Sequence, residues 1–182
     1  MAKKNILVFG ASNSRQSINK RLAVFAANQL TDVQLEIVDL NDFPLPMYSK
    51  DDERETGVPE NAKLFATVIE RCDGIVASFP EHNGLFTAVF KNLWDWMSRL
   101  DTAKIWREKP MFLLSASPSR RQHNYVMKAA KDLFPAFGGV IVAEFYLRSF
   151  SQTFEEGEIK VPELAADFKL ALNKYQSYID NL

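Results

Sequence analysis

A chain of 182 residues, 47% hydrophobic and 25% charged, carries enough apolar material to bury one core without disulfides or metals. Its formal net charge of -1 gives no general attraction to nucleic acid or to an anionic membrane, so recognition must be local. The lone cysteine, Cys72, excludes an internal disulfide framework and a cysteine-based metal cluster, and it suits a reducing cytoplasm.

The first apolar run, Ile6-Leu7-Val8-Phe9 before Gly10, is too short for a signal peptide's hydrophobic region or a membrane span and predicts a strand over 5–10. Directly after it comes Gly10-Ala11-Ser12-Asn13-Ser14-Arg15-Gln16-Ser17-Ile18-Asn19, leading into a helix over 17–30 with Ile18, Leu22, Phe25, Ala26 and Leu30 at helical spacing. A helix start offers unpaired N–H groups and partial positive charge, which make a strand–turn–helix junction an anion site. Ser12, Ser14 and Ser17 add hydroxyls, Asn19 an amide donor and Arg15 a full charge. Gly-x-Gly-x-x-Gly and Gly-Lys-Ser/Thr are both absent, so neither dinucleotide nor nucleoside-triphosphate geometry is encoded, and a terminal monophosphate is the expected ligand. The alternative is that the serines only cap the helix.

A second strand is predicted over 34–39. The charged tract Lys50-Asp51-Asp52-Glu53-Arg54-Glu55, between Pro46 and Pro59, reads most simply as a solvated loop, or else as a lid over the site. Phe65, Val68, Ile69 and Cys72 mark the inner face of a second helix, with Cys72 a buried structural thiol.

The third strand, 74–79, runs into Pro80-Glu81-His82-Asn83-Gly84. Pro80 stiffens this turn, Gly84 lets the backbone approach a ring, and the N–H groups between them can donate to the carbonyl oxygens of a flat heterocycle. The helix expected over 84–100 has an apolar half-circumference, wider than its own sheet needs; Phe86, Phe90, Trp94 and Met97 are the excess. Another subunit, a planar ligand or neighbouring loops would each cover it.

A fourth strand, 110–116, leads into Ser115-Ala116-Ser117-Pro118-Ser119-Arg120-Arg121, expected to rim the same crevice from the other side. Arg120 and Arg121 read either as positive charge for an anionic ligand or as a solvated helix start. A helical crossover over 122–137 stops at Gly138-Gly139, a fifth strand follows over 139–144, and 161–182 closes the chain as a helix. Strand-length apolar runs alternating with helices define an α/β fold of flavodoxin-like type. The expectation is one domain over 1–182, a three-layer sandwich on a five-stranded parallel sheet of order 2-1-3-4-5. Ligands of such sheets bind outside the carboxyl ends of the strands, where both the Ser12–Ser17 turn and the 80–84 loop lie.

At these residues the sequence resembles the NADPH-dependent FMN reductases, a family that includes quinone, azo-dye and chromate reductases. Pro80-Glu81-His82-Asn83-Gly84 is similar to the family's Pro-Glu-Tyr-Asn-Gly/Ser, and Lys91-Asn92 with Trp94 and Trp96 to its Lys-Asn and aromatic-rich helix end. Ser12, Ser17, Asn19 and Leu22 fall on its Gly-Ser-x-x-x-x-Ser-x-Asn-x-x-Leu spacing. Two departures stand out: His82 replaces the usual tyrosine, and Ser14 replaces an arginine whose charge role passes to Arg15. The resemblance implies FMN as cofactor, NADPH or NADH as co-substrate, and a homodimer or homotetramer built through the 84–100 helix. Pro80, Glu81, His82 and Asn83 would border the isoalloxazine; Ser115 and Ser117 stand where relatives contact the ring or ribityl chain. The implied reaction is a ping-pong hydride transfer from the nicotinamide to FMN and on to a quinone-like or other small acceptor, with no side-chain nucleophile. The alternative is an FMN-binding electron carrier or redox sensor without a nicotinamide site. Near-neutral charge favours the enzyme, since carriers of this fold are commonly acidic.

Overall fold

In the computed structural model, which describes residues 3–100 and 104–182, one parallel sheet carries the molecule. The first two residues of the expected 1–182 domain lie outside the described residues. The strands are β1 (Lys4–Gly10), β2 (Val33–Ile37), β3 (Gly74–Ser78), β4 (Lys109–Ala116) and β5 (Gly139–Leu147), in the order β2-β1-β3-β4-β5 and all parallel. Strand β3 is buried along its whole length because helices cover both faces, which is why its sequence shows no polar alternation. The fifth strand is three residues longer than the sequence predicts, reaching Leu147; Tyr146, near its end, lines the crevice described below.

Helices α1 (Ile18–Ala27) and α7 (Pro162–Asp180) bury Leu22, Ala26, Phe168 and Tyr175 against one face of the sheet. The other face takes α3 (Glu60–Arg71), α4 (Ala88–Met97) and α5 (Tyr125–Leu133). Residues 50–55 do not form a loop: they fold as α2 (Lys50–Thr56), because Ser49 accepts the Asp52 N–H at its start and three acidic residues occupy the first turn, where the helix dipole favours them. All its residues stay at least partly exposed, so the charged composition that suggested a loop fits a solvated helix equally well. Beyond β5, α6 (Phe150–Thr153) and the hairpin of β6 (Phe154–Glu155) with β7 (Glu158–Ile159) precede α7.

Helix α4 is shorter than expected, since Asn83 and Gly84 form a turn and Thr87, in extended backbone, caps the helix by accepting the Phe90 N–H. Its wide apolar face is covered from within the chain. Trp106 and the 3-10 turn Phe134–Phe137 pack onto it, with ring centroids 5.1 Å apart for Trp94 and Phe134 and 4.8 Å for Trp106 and Phe134. Phe90, Trp94 and Met97 are buried as a result, each burial worth about 1.5–3 kcal/mol. Asn92 and the Trp96 indole N–H pin the loop before α2 by donating to the Pro46 carbonyl at 2.9 and 2.8 Å. Of the excess apolar surface, only a strip around Leu85, Phe86, Leu133 and Phe137 remains open. No helix among the described residues is long and apolar enough to cross a membrane.

Candidate active site

The turn after β1 owes its position to Gly10. A Cβ there would meet the Lys20 main-chain N at 2.5 Å and Cα at 2.6 Å, so only glycine lets α1 close onto the strand end. Ser17 caps α1 by accepting the Lys20 N–H at 3.1 Å, and Ser12 Oγ accepts the Ser14 N–H at 3.1 Å. Both hydroxyls act only as acceptors in these bonds, so their protons are free to donate to a ligand. The N–H groups of Ile18 and Asn19, in the first turn, have no acceptor among the described residues. Arg15 is exposed and makes no ion pair among the described residues, whereas Lys20 is held by Asp39 at 2.5 Å. Burial pushes the Asp39 carboxyl up, but the hydrogen bonds from Lys20 and Asn41 outweigh it and leave the group below its ordinary value. Hydroxyls, main-chain donors and one unpaired guanidinium fit the terminal phosphate of FMN.

Asn19 is also tied into the sheet. Its side chain is 2% exposed; the amide donates to the Ala116 carbonyl at 2.9 Å, and its oxygen accepts from the Ala116 N–H at 2.8 Å and from Ser78 Oγ at 2.7 Å. These bonds join α1 to the ends of β3 and β4 and use one of the two amide N–H donors; the second, with the main-chain N–H, is left for a ligand.

Across the same edge of the sheet, a crevice of about 470 Å³ opens between the 80–84 loop and the segment 117–125. His82 and Leu85 exchange two main-chain hydrogen bonds, of 3.0 and 3.1 Å, around Asn83 and Gly84, whose φ values of 52° and 88° are those of a tight type I′ turn. Glu81, Asn83, Gly84 and Ser117 line the crevice; Pro80 is buried behind it, and His82 is exposed with its own N–H and carbonyl engaged in the turn. Ser115 lies beneath it, fully buried, donating to the Phe79 carbonyl at 2.7 Å and accepting from the Asn124 amide at 2.7 Å.

Glu81 does what the sequence reading did not foresee. Its Oε2 accepts the N–H groups of Tyr125 at 2.6 Å and Val126 at 3.4 Å, so a loop carboxylate sits on the first turn of α5 beside the Asn124 cap. Negative charge at a helix start is favourable, and the two walls are thereby clamped together. Arg121 lines the crevice as expected; Asn124, Tyr125, Tyr146 and His123 also line it and were missed, although an Asn before the apolar run Val126-Met127-Ala130 is a cap signal. Arg120 instead points to Gln152 at 3.4 Å, and α5 begins only at Tyr125, so neither arginine is a helix start. Cys72 takes no part: burial pushes its thiol up to about 11, and it is inert.

Fold and site together define a class: a flavodoxin-like domain with a hydroxyl-rich turn after its first strand and an open crevice beside it. The NADPH-dependent FMN reductase model matches residues 4–152, and the chain belongs to that family. It is 30% identical over 105 residues to an NAD(P)H:quinone oxidoreductase of Solanum tuberosum, covering 58% of this chain and 52% of that protein. It is 33% identical over 73 residues to the quinone reductase of Escherichia coli K12, covering 40% and 38%. The chain thus spans about half or less of the length of these curated relatives. Among solved structures, FerB from Paracoccus denitrificans, a flavoenzyme NAD(P)H:(acceptor) oxidoreductase, superposes over 98% of both chains with a TM-score of 0.77 at 22% identity. An oxidoreductase from Corynebacterium diphtheriae does so over 100% of both at 0.79 and 15% identity. At those identities the structures speak for the fold alone.

Proposed function

We propose that this protein is a cytoplasmic FMN-dependent NAD(P)H oxidoreductase, a single domain over 1–182 that reduces a quinone-like or other small acceptor. The observation that carries the reading is the pairing, on one edge of the sheet, of a turn rich in free donors with a ring-sized crevice whose walls are clamped together. When bound, FMN supplies the redox chemistry, accepting hydride from the nicotinamide and returning two electrons to the acceptor. Ser12, Ser14, Ser17, Arg15 and the N–H groups of Ile18 and Asn19 hold its phosphate. Glu81, Asn83, Gly84 and Ser117 border the ring; Pro80, His82 and Ser115 support that wall. The N–H groups of Asn83 and Gly84, which have no acceptor among the described residues, stabilise negative charge on the ring as oxyanion donors do.

One crevice serves donor and acceptor in turn, which makes the kinetics ping-pong, and the remaining apolar strip around Leu85 is where a second copy pairs to give a homodimer or homotetramer. The test is direct. Purified protein is expected to be yellow, to release FMN on denaturation, and to be bleached by NADPH or NADH in anaerobic stopped flow, with colour returning on addition of a quinone. A colourless protein overturns the flavin site, and a coloured one that neither nicotinamide bleaches is a carrier, not a reductase.

A further inference from the structure

Charge is distributed unevenly around the crevice. Among the described residues Glu81 is the only carboxylate lining it, and that group already faces the positive end of α5 through Tyr125 and Val126. Arg121, which also lines the crevice, forms no ion pair among the described residues. The loop that presents it is stitched down. Arg121 donates its N–H to Ser119 Oγ at 3.2 Å, Ser119 N–H donates to Ser117 Oγ at 3.0 Å, and the Ser119 carbonyl accepts the Ser149 N–H at 2.9 Å. Ser117 N–H reaches the Leu147 carbonyl at 3.0 Å, which fixes the loop on the end of β5. Tyr125 and Tyr146 supply aromatic rings in the same crevice. A fixed backbone carrying an unpaired planar guanidinium beside aromatic rings is suited to a flat molecule that bears an anionic oxygen cluster.

Resting on the flavin reading above, we propose that Arg121 is a specificity-determining residue whose guanidinium takes an anionic group of the small molecule sharing the crevice with the flavin ring. Two sources carry that chemistry: the 2′-phosphate of NADPH, and a sulfonate or carboxylate on a quinone acceptor. Titrating the oxidised holoprotein by flavin absorbance with NADP+ and NAD+, and with 1,4-naphthoquinone-2-sulfonate and unsubstituted 1,4-naphthoquinone, separates them. In one pair the charged member binds about 2- to 5-fold more tightly, the range for an ion pair open to solvent. Arg121→Gln brings that ratio to one, and Arg121→Lys keeps part of it. The uncharged-substituent member of each pair reports on the folding of the variants. Discrimination in the dinucleotide pair assigns the phosphate, and discrimination in the quinone pair assigns the acceptor. Flat ratios in the wild type, or a ratio unchanged by Arg121→Gln, overturn the role of Arg121 alone; a colourless protein overturns it together with the flavin site.

Discussion

The two halves of the site are built by different physics. The 12–17 turn is held mostly by neighbours in sequence: Ser12 bonds two positions away and Ser17 three. What it offers a ligand is mostly main-chain donors and small hydroxyls. The crevice is held by bonds that span the chain, Glu81 to Tyr125 across 44 positions and Ser115 to Phe79 across 36. A site made of local backbone tolerates change in everything except the space its ligand needs, whereas one made of remote side chains fails when any partner in the relay is lost. Asn19 belongs to the second kind although it stands beside the first, because its bonds reach β3 and β4.

The largest expected effect attacks the local half. Replacing Ser12 and Ser17 together by Glu removes two hydroxyl donors and sets two negative charges against a phosphate, and FMN affinity should fall at least about 100-fold, or roughly 2.7 kcal/mol. Fluorescence titration of apoprotein with FMN measures it, and cofactor retained at wild-type affinity would sink the phosphate assignment. Next comes Asn19→Ala, which strands the Ser78 hydroxyl and both main-chain groups of Ala116 in the interior. A loss of about 2 kcal/mol in urea unfolding is expected. If stability held and only FMN affinity fell, Asn19 would act as a ligand contact and not as a brace between α1 and the sheet.

What could be read from sequence follows the same division. Strand order and the Ser12–Ser17 turn were legible because period, length and helix-start chemistry are local properties. The Glu81–α5 clamp was not: a carboxylate in a turn looks solvated until its helix is placed beside it, and nothing near residue 81 names residue 125. Helix α4 was legible only in part for a related reason. Its wide apolar face announced a second covering surface; Trp106 and Phe134 of the same chain supply much of it, and sequence period cannot tell self from partner.

Glu81 offers a finer cut. Glu81→Ala removes the acceptor of the Tyr125 and Val126 N–H groups and should cost about 1 kcal/mol, as loss of a helix cap does, while loosening FMN by a few-fold. Glu81→Gln keeps an acceptor and should restore most of both. If Ala and Gln behave alike, charge on the helix dipole, not the hydrogen bond, joins the two walls.

The smallest effect belongs to Asp39, which tethers the 12–17 turn from outside: Asn41 donates to Asp39 Oδ1 at 2.8 Å and to the Asn13 carbonyl at 3.2 Å. With the net shift downward from 3.8, the folded protein binds the proton on Asp39 less readily than the unfolded chain does. The stability this supplies is therefore complete above about pH 4 and is lost as pH falls through the lowered folded value; between pH 5 and 7 it is constant. Side-chain exposures of 24% for Asp39 and 36% for Lys20 admit solvent screening, which limits the contribution to about 1 kcal/mol or less. Urea unfolding from pH 3 to 7 should show Asp39→Asn with a shallower acid slope than the wild type, the two curves converging at the lowest pH. Parallel curves would mean that the Lys20 pairing carries no linkage, and that the 12–17 turn stands without this tether.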